Sequence, residues 1–491
     1  MSIIADKFKL YGSFLMWKRE KFTLLMQSYR FARQPALNHD RHPDKFPTGE
    51  PMPKLLLTFL LLISLTPVVQ AAELKEATYK NGVKLIVEED HSAPVAMVQV
   101  WLKVGGRDEL PGKTGLAHVF EHMMFKGSNK LGPGEYSKRI SAMGGNDNAF
   151  TSTDYTAYFQ TVPAKRIDEV LAMEAERFAN LKLRDADFQK EIKVIMEERR
   201  MRTEDDPNSH MFEELSAASL RLHPYRNPVI GWMQDLEKLT IEDVKAFYKK
   251  HYVAGNVVVV VVGDVDFEQA KKTVANTFGR MKARPVPARF NPVEPKTFGA
   301  KRIQVTLPAQ LPMLAITVPV PVWKPGENDR EAAALTLATQ ILAGGRAARL
   351  QRELVDEQRK AFAAGAGYDA HGMGLDLWYA YGMLGPGQTP EAFEKSLWSL
   401  LDNMANHEVD EKRLNAAKRN IIAAEVFAQD SLYLRAKEIG RMEVVGIGAN
   451  NRNLWLESIR SVTTDDIKQA MGRWLKRERS TTGVLLPEVK S

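Results

Sequence analysis

In "GLAHVFEHMMFKG", residues 115–127, two histidines and a glutamate interrupt an otherwise apolar run. On a helix, His118 and His122 lie one turn apart on the same face. Their imidazoles can converge on one cation at the about 2.0–2.1 Å that zinc takes to histidine nitrogen. Glu121 borders the same spot, where a carboxylate can take a proton from a water acidified by zinc. The spacing inverts the H-E-x-x-H arrangement of zinc-binding helices. Leu116, Ala117, Val119, Phe120, Met123 and Met124 make this a buried helix, where three uncompensated ionisable groups would be costly. Core histidines bonded to backbone carbonyls are the plain alternative, and the five-residue pattern is too rare by chance to favour it.

A catalytic zinc takes three protein ligands and keeps one open position. The chain has no cysteine, which excludes thiol catalysis, thiolate metal sites and disulfides, so the third ligand must be His, Asp or Glu. The segment "DADFQKEIKVIMEERRM", 185–201, offers Glu191, Glu197 and Glu198. Helical spacing puts Phe188, Glu191, Ile192, Ile195 and Glu198 on one face, and Glu197 with Lys190 and Lys193 on the wet one. Glu191 and Glu198 are therefore the inward carboxylates. One can bind the metal while the other supports it through hydrogen bonds.

These residues need a scaffold, and the pattern past residue 72 alternates strands and helices. "VKLIVEED" and "VAMVQVWLKVGG" read as strands. "NVVVVVVGD", 256–264, reads as a strand covered on both faces. Residues 164–180 and 185–202 read as helices. The Pro-rich "ARPVPARFNPVEPKTFG", 283–299, is the best linker candidate. "LTIEDVKAFYKKHY" (239–252) is echoed by "VTTDDIKQAMGRWL" (462–475), each with a Thr cap and two early carboxylates, and each followed by a Val/Leu-rich strand. This spacing predicts an internal duplication of about 200 residues. The expected fold is α+β: two homologous α/β domains, each a mostly antiparallel sheet packed with helices. The expected divisions are 72–282, a linker at 283–299, and 300–491.

Over "GGRDELPGKTGLAHVFEHMMFKGS", "GGNDNAFTSTDYTAYF" and "EIKVIMEERR" the sequence resembles the pitrilysin (insulinase) family of zinc peptidases, which includes the mitochondrial processing peptidases. The similarity extends over nearly all of residues 75–485. It implies one Zn²⁺ per chain held by His118, His122 and Glu198, with Glu121 as general base and Glu191 as the supporting glutamate. It also implies that a peptide substrate adds as a strand to a sheet edge beside the metal, matched here by Asn148, Ala149, Phe150 and Thr151. Read without the family, Gly144-Gly145-Asn146 is a turn leading into an alternating strand. "VGGRDELPGKTG" imitates a phosphate-binding loop, but that spacing needs glycine where Arg107 stands, and nucleotide binding is rejected.

Members of the family carry an Arg and a Tyr seven residues apart in the second half, which help hold substrate. In "ARLQRELVDEQRKAF", 348–362, Val355 and Phe362 take those places. Leu337, Gln340 and Ile341 fall roughly where a second His-Glu-His set would repeat. The resemblance therefore implies a zinc-bearing subunit that works as a heterodimer with a homologous zinc-less chain supplying Arg and Tyr. A homodimer using another clamp, such as Tyr368 or Tyr379, is the alternative.

"MPKLLLTFLLLISLTPVVQAAELKE" begins at Met52 with a short positive n-region, an apolar core and a small-x-small site, as in a secretory signal peptide cut after Ala71. Its apolar core is too short for a comfortable membrane span. Met52 then reads as the true start, with residues 1–51 outside the mature protein and 52–71 removed. A cytoplasmic tail on a short membrane anchor is the other reading. The formal charge of +7 sits mostly at this front end, where residues 1–51 hold nine Lys/Arg against five Asp/Glu. No nucleic-acid partner is inferred from it. The expectation is a secreted, periplasmic metalloendopeptidase acting on peptides or unfolded segments. The alternatives are a non-catalytic peptide-binding or assembly subunit, and a zinc hydrolase of non-peptide amides.

Overall fold

The six consecutive valines before Gly263 pack both faces of one strand, β6 (Val257–Gly263), every residue of which is buried. In this computed structural model, which describes residues 73–488 apart from 297, 298 and 328, β6 lies at the heart of the first of two sheets. The segments 1–51 and 52–71, with the cleavage point after Ala71, lie outside the described residues. The first sheet adds β1 (Leu74–Thr78), β2 (Lys84–Glu89), β3 (Val95–Leu102), β4 (Asn146–Thr151) and β5 (Thr156–Pro163). Its six strands run in the order β1-β2-β6-β3-β5-β4. The second contains β7 (Lys301–Leu307), β8 (Met313–Pro321), β9 (Ala361–Gly367), β10 (Leu375–Leu384) and β11 (Thr481–Pro487), in the order β7-β11-β8-β10-β9. Set β1 aside and the two orders coincide strand for strand. Each sheet has one parallel pair, β2 with β6 and β7 with β11, and is otherwise antiparallel.

Among the described residues the α-helices longer than one turn are α1 (Leu116–Met123), α2 (Glu135–Ala142), α3 (Ile167–Asn180), α4 (Asp185–Arg199), α5 (Pro207–Ser219), α6 (Ile241–His251) and α7 (Phe267–Asn276) in the first half. The second half has α8 (Asp329–Ala343), α9 (Pro390–Asn406), α10 (Glu411–Ala428), α11 (Leu432–Val444), α12 (Arg452–Ser461) and α13 (Thr464–Trp474). The echo read in the sequence is real in three dimensions. Thr240 with Asp243 and Thr463 with Asp466 form reciprocal capping boxes that start α6 and α13. Each helix then delivers the chain to the inner strand of the parallel pair, β6 or β11.

The halves exchange a helix. α5, from the first half, packs on β7, β8 and β11 of the second sheet through Met211 and Leu215. α11, from the second half, packs on β3 and β6 of the first, where Gly440 lies so close to Trp101 that a Cβ would stand 2.2 Å from the indole. Arg435 of α11 completes that contact with a buried pair to Glu88 at 2.8 Å and a second to Asp90. Because Glu88 is also taken from water, this pair fixes how α11 sits more than it adds net stability.

The segment 283–296 has no regular structure but is tied down along its length. Arg107, the residue that spoils the phosphate-loop pattern, donates to Phe290 O (2.7 Å), Asn291 Oδ1 (3.1 Å) and Met373 O (3.2 Å). Arg289 pairs with Asp108 at 2.7 Å, and Glu294 accepts from the amides of Arg221, Leu222 and His223. The segment is thus a strap: its prolines forgo ladder bonds, and bonds chiefly to the first half, with Met373 Sδ of the second on Arg289 at 3.0 Å, hold it instead.

Candidate metal centre

α1 begins at Gly115, whose φ of +90° and backbone contact to Ile230 O, 2.7 Å from where a Cβ would stand, admit only glycine. The free amides at this helix start are taken by a carboxylate: Glu109 accepts from Gly115 N (2.8 Å) and Ala117 N (2.7 Å). That is where a phosphate would have to bind, which explains physically why the loop is no nucleotide site. Phe120 faces away from the polar side and packs against Tyr248, Tyr252 and Phe247. With that face anchored, His118 and His122 are turned together toward α4, their ring centroids 4.9 Å apart.

α4 answers with Glu198. Its Oε2 lies 3.6 Å from His122 Nε2 and 3.9 Å from His118 Nε2. One ligand atom from each of the three residues can be chosen so that all lie within 4.8 Å of one another, the one such cluster among the described residues. The other oxygen of Glu198 is held by Arg202 at 2.6 Å, so a single oxygen is presented to the histidines. Glu191, two turns earlier on the same face, meets His122 Nδ1 at 3.2 Å and Lys126 at 2.6 Å. That contact places a proton of His122 on Nδ1 and leaves Nε2 facing Glu198. Glu197 is exposed and paired with Arg200, as its place on the wet face requires.

The cluster fits a cation. His122 Nε2, facing the cluster, is buried with no hydrogen-bond partner, a state that costs about 1–3 kcal/mol if nothing satisfies it. Burial holds His118 down at about 4, so at neutral pH it is uncharged and able to act as a ligand. Burial also works against charge on His122, but its hydrogen bond to Glu191 and the negative charges of the nearby Glu198 and Glu121 outweigh it and raise it to about 9. Glu198 loses hydration by burial, yet His122, His118 and Arg202 together bring it down to about 2. Two carboxylates thus draw positive charge to the point between the rings. A two-histidine, one-carboxylate set with no thiolate suits zinc.

Glu121 is buried on the same helix, and Thr151 donates to its Oε2 at 2.6 Å. Thr151 ends β4, one of the two edge strands of the first sheet, which therefore borders the cluster. Ser152 N bonds Tyr155 O at the turn, and antiparallel alternation then gives the ladder bonds to Phe150 and Asn148 and turns the backbones of Ala149 and Thr151 to the open edge. In keeping with this, Ala149 N is taken by Asn148 Oδ1 at 2.9 Å rather than by β5. The side chain of Phe150 points to the opposite face, against Trp101, Tyr155 and Phe159 and beneath Lys437 of α11. Sequence reasoning did not single out Lys126 or Arg202. Each lies four residues after a singled-out residue, His122 and Glu198, and helical spacing carries that signal. The hydroxyl of Thr151 on Glu121 has no such local signal.

In the second half Leu337 and Ile341 of α8 are buried in the core and Gln340 is half-buried. Val355 packs against the same core, while Phe362 at the start of the edge strand β9 is 54% exposed. Tyr368 spends its hydroxyl on Pro321 O at 2.5 Å, and Tyr379 packs edge-on to Phe212.

Comparison with known proteins agrees with this division. The family model for the insulinase peptidase family M16 matches residues 84–232, which hold the whole cluster. The model for the M16 inactive domain matches residues 238–421. The zinc protease PqqE of Helicobacter pylori is 30% identical over 428 residues, covering 84% of this chain and 93% of that protein. The crystal structure of a protease from Helicobacter pylori superposes with a TM-score of 0.79 at 29% identity, covering 85% of this chain and all of that one. The periplasmic protease PqqL from Escherichia coli shares the fold at a TM-score of 0.70 and 17% identity, with 85% of this chain matching 48% of that longer one.

Proposed function

The chain belongs to the insulinase family of M16 peptidases, and on that premise we propose that it is a zinc-dependent endopeptidase acting on peptides or unfolded polypeptide segments. The observation that carries this reading is the buried, partnerless His122 Nε2 facing Glu198 Oε2 at 3.6 Å, with His118 beside it. In this reading His118, His122 and Glu198 hold one Zn²⁺, Glu191 orients His122, and Arg202 keeps Glu198 to one ligating oxygen. Bound there, zinc supplies Lewis acidity that polarises a peptide carbonyl and acidifies a water. Glu121, its Oε2 held by Thr151, takes a proton from the attacking water on Oε1 and returns it to the leaving amine. The open edge of β4 at Ala149 and Thr151 receives the peptide as an added strand, Asn148 Oδ1 giving up the Ala149 amide to a substrate carbonyl. Phe150 braces the strand from behind. The test is a peptide-library digest by wild type and Glu121→Gln; zinc bound equally by both with undiminished cleavage by the variant refutes the mechanism.

The working species in this proposal is a pair. Val355 and Phe362 offer no polar group where the family places its Arg and Tyr, and Tyr368 has its hydroxyl occupied. A homologous zinc-less chain then supplies the clamp. Co-purification from the native source tests this; a lone monomer cleaving at full rate overturns it. The signal-peptide pattern at 52–71 supports export to the periplasm, and no helix among the described residues is long and apolar enough to cross a membrane. Mature protein beginning near Ala72 is the expected result of N-terminal sequencing.

A further inference from the structure

We infer that Thr151 is a positioning residue that ties the general base Glu121 to the strand on which substrate is laid. The inference rests on the peptidase reading above and deepens it. Thr151 has two separate attachments. Its backbone faces the open edge of β4, opposite Thr156 of β5, while its side chain crosses to α1 and donates to Glu121 Oε2 at 2.6 Å. This is the single hydrogen bond to the Glu121 carboxylate among the described residues.

The physical need for it is plain. The last torsion of a glutamate is broad, so without a fixed donor the carboxylate plane is free to turn. Glu121 is 6% exposed, which leaves little water to do the fixing. A β-branched residue in a strand has a restricted χ1, so the direction of the Thr151 hydroxyl is set by the backbone of β4 itself. Holding Oε2 leaves Oε1 as the oxygen that handles the proton. Because a peptide paired to β4 settles the same backbone from its other side, strand addition and alignment of the base are mechanically one event. Phe150, packed on Trp101 beneath Lys437, keeps the strand from yielding in the opposite direction.

The experiment uses the full chain with any subunit that co-purifies, and compares Thr151→Val, Thr151→Ser and Glu121→Gln for kcat, KM and bound zinc. Thr151→Val keeps the shape and the edge backbone and removes only the donor. The expected result is a kcat lowered about ten- to a hundredfold. KM stays within twofold and zinc is unchanged, with Thr151→Ser recovering most of the rate. A Thr151→Val enzyme with wild-type kcat overturns the inference. So does one in which KM rises as kcat falls and Ser does not rescue, since that is a loss of strand shape, or one that loses zinc. Normal turnover by Glu121→Gln sinks the peptidase mechanism itself, an outcome separate from the first three.

Discussion

α1 and α8 occupy the same place in two sheets of the same order, and they meet the demand of burial in opposite ways. α8 fills its place with Leu337 and Ile341, which need nothing beyond neighbours. α1 puts His118, Glu121 and His122 there, and every one of them needs an outside group: Glu198 and Glu191 from α4, and Thr151 from β4. The edge strands differ alike. β4 carries Asn148 and Thr151, whereas β9 is "AFAAGAG" with no polar side chain. A duplicated fold can therefore keep its architecture with either solution, but only the half that accepts the cost of buried polar groups offers groups that could do chemistry.

The contrast can be broken from either side. The largest expected effect is on activity: Glu121→Gln should lower peptide hydrolysis by about 10²–10⁴-fold with zinc content unchanged, read by a fluorogenic peptide and metal analysis. The mirror change, Leu337→Ala, should leave bound zinc at wild-type level and destabilise the fold by about 2–5 kcal/mol in urea unfolding, because its place is supported by packing alone. Glu191→Gln should weaken zinc about 10–100-fold in a competing-chelator titration while leaving the fold intact, since it acts on His122 through one hydrogen bond. Smallest is Gly440→Ala, which forces a methyl against Trp101 and should cost about 1–3 kcal/mol of stability without altering metal affinity.

Much of the centre was legible because its information is local. Two histidines one turn apart, and Glu198 separated from Glu197 by the helical face, need only the 3.6-residue period to be sorted. The paired sheets were legible through the repeated Thr-capped helices at 240 and 463. What stayed hidden is non-local. An apolar face on 432–444 says that the helix must be covered, but not that it covers the sheet of the other half. Nor does the sequence say that a threonine 30 residues beyond Glu121 holds it, or that Arg107, inside a loop that imitates a phosphate site, straps Phe290 and Asn291.

The exchange of α5 and α11 has a consequence for how this protein can be divided. A gene split within 283–299 would yield two fragments, each carrying the other's missing cover: the first with Trp101 bare, the second with Met313 and Ala315 bare. Neither piece is a self-sufficient domain, and each is the natural ligand of the other. The two should recombine from solution as a complementing pair.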